Sequence, residues 1–226
     1  MNLDDLFAFP LDVFPFVFLA LAAAFSVHEC SHAWFAWKFG DDTAKNQGRV
    51  TLNPRRHLDV FGTILIFIAG FGWAKPVPVM RSKFKYPRLM GIIVSAAGPL
   101  SNLLLAFVAL LLWYVLLSFG FNPETSRVNE AIHVQFNILI SLNLILFIFN
   151  LIPVPPLDGY RIIADIVPQQ TRARLSQIEH WGVFIFLLLV FIPPLRRITI
   201  DPLFSLQIDL YQGMVKLILK LFGAWG

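Results

Sequence analysis

Charge and cysteine are the two things this 226-residue sequence has least of. Asp, Glu, Lys and Arg make up 14% of it, against about 25% in an ordinary soluble domain. Cys30 is its one cysteine, which excludes an internal disulfide framework and a Cys-x-x-Cys metal site. What replaces the charge is apolar: 57% of residues are hydrophobic, and the mean hydropathy is +0.69. A single core of this size cannot hide that much apolar surface, so lipid must be the solvent for part of the chain. The same figures exclude disorder, collagen-like structure and coiled coil. A net charge of +4 and a pI near 9.4 would suit nucleic acid. The basic residues, however, sit in short clusters beside apolar runs, which is the positive-inside pattern of a membrane protein.

The apolar runs predict an all-α polytopic membrane protein with about five transmembrane or membrane-embedded helices. The acidic start, Met-Asn-Leu-Asp-Asp, does not read as the basic head of a cleavable signal. Val13–Trp37 is a first run, about 37 Å long as a helix, with His28-Glu29-Cys30-Ser31-His32 in its second half. Leu89–Ser118, Ala131–Ile152 and Trp181–Leu195 follow, the last stopped by Pro193-Pro194. Leu203–Trp225 is amphipathic through Asp209, Lys216 and Lys220, and so suits the interface. Val60–Ala74 is too short to span: as a helix it reaches about 22 Å, against a hydrocarbon core of about 30 Å. Its Gly62, Gly70 and Gly72, and the Lys75-Pro-Val-Pro-Val that follows, predict a re-entrant or partly extended piece. Charge agrees. If Val60–Ala74 dips in and returns, the basic stretches Lys38–Asp59 and Lys75–Arg88 share the cytoplasmic side. No repeat or linker divides the chain, so residues 1–226 read as one membrane domain.

His28-Glu29-Cys30-Ser31-His32 is a His-Glu-x-x-His pattern. On a helix, residues four apart share a face, so both imidazoles can reach one Zn²⁺ while Glu29 can take a proton from its water. Lipid makes this cluster costly unless something uses it. A catalytic zinc takes a third protein ligand and leaves one position open. His57, His133 and His180 are the remaining histidines, and Asp158 is the best carboxylate, following an apolar run after a proline-rich break. A re-entrant 60–74 puts Asp158 at the same membrane face as His28 and His32, whereas a full span there would put it opposite.

A His-Glu-x-x-His in a membrane helix, with Asn150-Leu-Ile-Pro-Val-Pro-Pro-Leu-Asp158-Gly159 later in the chain, resembles the site-2 protease family of intramembrane zinc metalloproteases. The likeness covers about residues 12–195 and is to the compact form, without a PDZ or CBS module. Also similar are Gln47-Gly-Arg-Val-Thr-Leu-Asn-Pro54, His57-Leu-Asp59, Phe71-Gly-Trp-Ala-Lys-Pro-Val-Pro78 and Ala97-Gly-Pro-Leu-Ser-Asn102. The resemblance implies one Zn²⁺ on His28, His32 and Asp158, with Glu29 as general base and Asn150 helping to stabilise the oxyanion. It also implies that Gly98, Asn102 and, on the face shared with Asn150, Asn143 border the substrate path. A small membrane sheet would map to roughly residues 45–80. The partners implied are a transmembrane protein substrate and the bilayer, with no nucleic acid. The location implied is a prokaryotic inner membrane, with the site open to the cytoplasm.

Blander readings stand beside these. Asn143 and the Gly98–Asn102 stretch suit plain interhelical contacts, His57 a loop hydrogen bond, and Cys30 packing. A membrane metal transporter or sensor could use the same His and Asp ligands, but it gives Glu29 no necessary role.

Overall fold

The computed structural model describes residues 7–222. Three long helices form the frame: α1 (Phe14–Lys38), α4 (Pro87–Ser118) and α5 (Arg127–Asn150). Each is long and apolar enough to cross a membrane, and each packs on the other two. Between the first two lie α2 (Thr43–Asn46) and α3 (Val60–Ala69). After the third come α6 (Asp158–Ile166), α7 (Gln169–Glu179), α8 (Gly182–Phe191), α9 (Pro193–Thr199) and α10 (Asp201–Phe222). The protein is an all-α polytopic membrane protein.

Two apolar clusters hold the frame. Val17, Leu21 and Phe25 of α1 pack on Ile66 of α3, with Leu142 and Leu146 of α5 alongside. Ala106, Ala109 and Leu110 of α4 meet Ile140 and Leu144 of α5, and Met214 and Ile218 of α10 close that cluster. The alanines on α4 let the helix backbones approach closely, as small residues do in membrane bundles. α10 buries one face and leaves the other exposed, as its charges predict. Its sequence continuation, residues 223–226, lies outside the described residues.

The 60–74 stretch is a hairpin. Asp59 caps α3 by accepting the Gly62 N–H (2.8 Å), and after the helix's ten residues Gly70 ends it in the left-handed region, at φ 70°. That conformation costs a side-chain-bearing residue energy that glycine avoids. The chain then returns extended, and an antiparallel bridge joins Leu58 to Ala74. The segment therefore leaves from the level at which it began, as a re-entrant piece does. The membrane sheet expected over 45–80 does not form: the described residues there hold no strand, only that single bridge followed by a strap over 74–80. Pro76 and Pro78 lack an N–H and cannot build a ladder. The expected span over 181–195 is broken. α8 stops at Phe191, Pro193 opens α9, and α7 meets α8 at 68°.

Candidate metal centre

His28 and His32 lie one turn apart in α1 and are buried, like Asp158 at the start of α6. Their Nε2 atoms are 3.0 Å apart, and each is 3.2 Å from Asp158 Oδ2. Which ring nitrogen carries the proton follows from the partners behind. His32 Nδ1 meets the Val94 carbonyl of α4 at 2.7 Å, and a carbonyl only accepts, so Nδ1 donates and, in the neutral ring that a metal ligand requires, Nε2 is the lone pair. His28 Nδ1 meets Asn102 Oδ1 at 2.6 Å. That amide's orientation is set by Asn102 Nδ2, which donates to the Ala24 carbonyl (3.2 Å) and to Asn143 Oδ1 (2.8 Å). Asn143 is turned in the same way by donating to Leu139 O (2.8 Å). His28 Nδ1 therefore donates as well, and its Nε2 is also a lone pair.

Two imidazole lone pairs and a carboxylate oxygen thus converge, and Asp158 Oδ2 has no hydrogen-bond donor. Without a cation such a cluster repels itself. Tetrahedral zinc with bonds near 2.0–2.1 Å would space its ligands by about 3.3 Å, close to the separations seen. The residues fit a divalent metal, and the three ligand atoms all lie within 4.8 Å of one another. Gly98 of α4 is part of the fit. A Cβ there would stand 2.3 Å from His32 Nε2 and 2.7 Å from His28 Cε1, so a larger residue would fill the space the imidazoles occupy.

Glu29 faces the same space. It is 8% exposed, and its Oε2 accepts the Val77 N–H at 3.0 Å. A cavity of about 840 Å³ opens in front, lined by His28, Glu29, His32, Asn150 and Asp158 among others. Of the expected substrate-path residues, Gly98 backs the imidazoles, while Asn102 and Asn143 are both 0% exposed. Their amides lie behind His28 rather than on the cavity wall, and the polar bonds just described engage them. Asn150 does line the cavity, one of its amide hydrogens donated to Leu146 O at 2.9 Å.

Among the remaining histidines, His57 is fully buried and meets the Thr51 carbonyl at 2.7 Å. It is the loop hydrogen-bonder expected, more deeply placed than a loop suggests. His133 stacks on Trp113 and bonds Asn137. Residues that the sequence reading did not single out hold the site's surroundings. Asp41 accepts the Met80 N–H (2.6 Å), and Asp165 of α6 pairs with Arg81 (2.9 Å). A single Asp, in a loop for Asp41 and in a helix for Asp165, carries no pattern that would have announced either.

A polytopic helical membrane protein with this metal-ready His, His, Asp cluster and a glutamate beside it is a metallopeptidase by class. A family model agrees: the chain belongs to Peptidase family M50, matched over residues 16–122 and 122–193. It is 48% identical over 222 residues to "Putative zinc metalloprotease YwhC" of Bacillus subtilis (strain 168), covering 98% of this chain and 97% of that protein. It is 30% identical over 186 residues to "Putative zinc metalloprotease Rip2" of Mycobacterium tuberculosis (strain H37Rv), covering 80% and 68%. The Mycolicibacterium smegmatis chain of the same name is 28% identical over 194 residues, covering 82% and 70%. No solved structure matches the chain.

Proposed function

We propose that this protein is an intramembrane zinc metalloprotease that hydrolyses peptide bonds within or near transmembrane segments of other membrane proteins. The observation that carries the proposal is the convergence of His28 Nε2, His32 Nε2 and Asp158 Oδ2 within a membrane-spanning frame, with Glu29 on the same cavity wall. Family membership and the relatives' names support zinc as the metal.

His28 and His32 would hold the metal through Nε2, left as the lone pair by the acceptors behind their Nδ1 atoms, and Asp158 would be the third ligand. Zinc, when bound, polarises the scissile carbonyl and acidifies the attacking water. Glu29 accepts the proton from that water and delivers it to the leaving amine. Asn150 has a second amide hydrogen to offer the developing oxyanion. A substrate helix must unwind first, because its carbonyls are engaged in intrahelical bonds. The cavity's mix of Phe25, Phe149 and Phe186 with polar groups suits an apolar segment whose backbone has been freed.

The Leu58–Ala74 bridge supports the topology, since it brings the basic stretches on either side of the hairpin to one level. By lysine and arginine bias that side is cytoplasmic, in a prokaryotic inner membrane. The partners are the bilayer and a transmembrane substrate, not nucleic acid.

Glu29→Gln tests the reading in membranes or nanodiscs. Zinc content should stay at one per chain while cleavage of membrane substrates falls at least about 100-fold. Undiminished cleavage would overturn the base assignment, and zinc flux without any proteolysis would favour a transporter.

A further inference from the structure

The Gln47–Pro54 stretch carries a buried arginine that the reaction just described does not use. Arg49 is 4% exposed, deep for a residue that seldom leaves water without a partner. Its Nη1 donates to Pro76 O (3.2 Å), and its Nη2 donates to Lys75 O and lies 3.9 Å from Glu29 Oε2. Its own N–H donates to Ala44 O (3.0 Å), which seats the loop against α2. The neighbouring Val50 packs with Val77, Ala44 and Ala33 of α1. Three chain segments thus meet at one guanidinium: α1 through Glu29, the 47–51 loop, and the 74–80 strap.

The strap explains what the guanidinium holds. Its N–H groups are used one by one: Lys75 to His57 O (2.7 Å), Val77 to Glu29 Oε2 (3.0 Å) and Met80 to Asp41 Oδ2 (2.6 Å). In Pro76-Val77-Pro78 only Val77 has an amide hydrogen, and it is spent on Glu29. Arg49 grips the two carbonyls immediately before that amide. A planar fork of donors meets two adjacent carbonyls from two separate nitrogens in a fixed geometry, whereas a lysine ammonium brings its donors to one point on a flexible stem.

We propose that Arg49 is a positioning residue for Glu29: it clamps the Lys75–Pro76 carbonyls so that the Val77 amide holds Glu29 by Oε2, leaving Oε1 for the transferred proton. The proposal rests on Glu29 as the general base. A carboxylate that must both take a proton and pass it on has to keep a fixed place across the cavity, and a misplacement of about 1 Å can cost about 100-fold. Without Arg49 the strap keeps its attachments at Lys75 and Met80 but loses its hold next to Val77.

The test uses the full chain in nanodiscs, with Arg49→Gln, Arg49→Lys, Val77→Pro and the Arg49→Gln/Val77→Pro pair. Three readouts are compared: amide hydrogen exchange over residues 74–80, zinc content, and kcat against KM on a transmembrane peptide. In Arg49→Gln we expect Val77 exchange at least about 10-fold faster, unchanged zinc, and kcat lowered about 10–100-fold with KM within about 3-fold. Arg49→Lys should recover part of kcat. Val77→Pro removes the amide without touching Arg49, and the pair should lose no more than the worse single variant. Val77 protection unchanged in Arg49→Gln, or additive losses in the pair, would overturn the clamp. If Arg49→Gln does not insert, Arg49→Lys decides by the same readouts, and Val77→Pro, which has no amide there to exchange, by zinc content and kcat against KM. Hydrogen exchange does not depend on proteolysis. Full cleavage by Glu29→Gln would therefore sink the base assignment separately, leaving the Val77 exchange result to judge the clamp.

Discussion

His28 and His32 show how much of a metal centre is decided one bond behind the ligands. The Ala24, Leu139 and Val94 carbonyls cannot donate; Val94 sets His32 directly, and the other two, through Asn102 and Asn143, set which nitrogen of His28 is bare. Outer partners of this kind are typically worth about 10–100-fold in metal affinity. Asn102→Ala should weaken zinc binding by that factor in a chelator competition, with the helical content unchanged by circular dichroism. Asn102→Asp keeps an acceptor toward His28 and should bind more tightly than the alanine variant. Gly98→Ala makes a sharper case, because its Cβ would stand 2.3 Å from His32 Nε2. Metal analysis should find the site largely empty in that variant while the chain remains inserted. At this scale the sequence was informative about the ligands and silent about their orientation. The spacing of His28 and His32 is a local property of a helix, whereas Asn102 reaches His28 across 74 positions of chain.

Among elements, the hairpin and strap carry the design. Asp59 caps α3 with its side chain on the Gly62 N–H, and Asp59→Ala should cost about 1 kcal/mol, read as a lower unfolding midpoint in detergent. Asp41 pins the other end of the strap. Burial disfavours its charge, but donors from Thr43, the Met80 N–H and Lys83 outweigh that and hold its carboxyl below the usual range. A carboxyl depressed in the folded state contributes stability above its unfolded pKa, about 3.9, and loses it as pH falls through the lower folded value. The stability gap between wild type and Asp41→Asn should therefore be widest near neutrality and shrink steadily below about pH 4. A gap that stays constant from neutral to acid pH would remove Asp41 from the strap's support. The dip of 60–74 could be read from length and glycine content. The form of its return could not: alternating prolines rule out a ladder, but the partners that replace it come from Glu29, Arg49 and Asp41, which lie far away in sequence.

For the whole molecule, the cluster joins the two ends of the frame. α1 supplies two ligand atoms, and α6, more than a hundred residues later, supplies the third. Arg81 and Arg172 then fasten α6 through the buried Asp165, within bonding distance of Arg81 at 2.9–3.0 Å and of Arg172 at 3.5 Å. A cation at this joint binds the folded state and not the open chain, so it must raise apparent stability. Zinc at 100 times its Kd should add about 2.7 kcal/mol, seen as a higher melting temperature that a chelator reverses. Asp158→Ala should abolish most of that zinc-dependent shift. A full shift in the variant would show that the third ligand lies elsewhere.

The amino-acid sequence by itself determined the solvent, the three long spans, the dip between the first two, and the pairing of His28 with His32. All are one-dimensional properties: hydropathy over a bilayer's length, helix-breaking residues, and a period of 3.6. Asp158 was already the best third ligand on the sequence; tertiary structure brought its Oδ2 within 3.2 Å of both Nε2 atoms and set His57 and His133 among other partners. It also placed Asn102 and Asn143 behind His28 and turned Arg49 inward to the strap. Those choices depend on which carbonyls and carboxylates meet when α4, α5 and α6 pack on α1, and pairings across so much chain leave no periodic mark in the residues that make them.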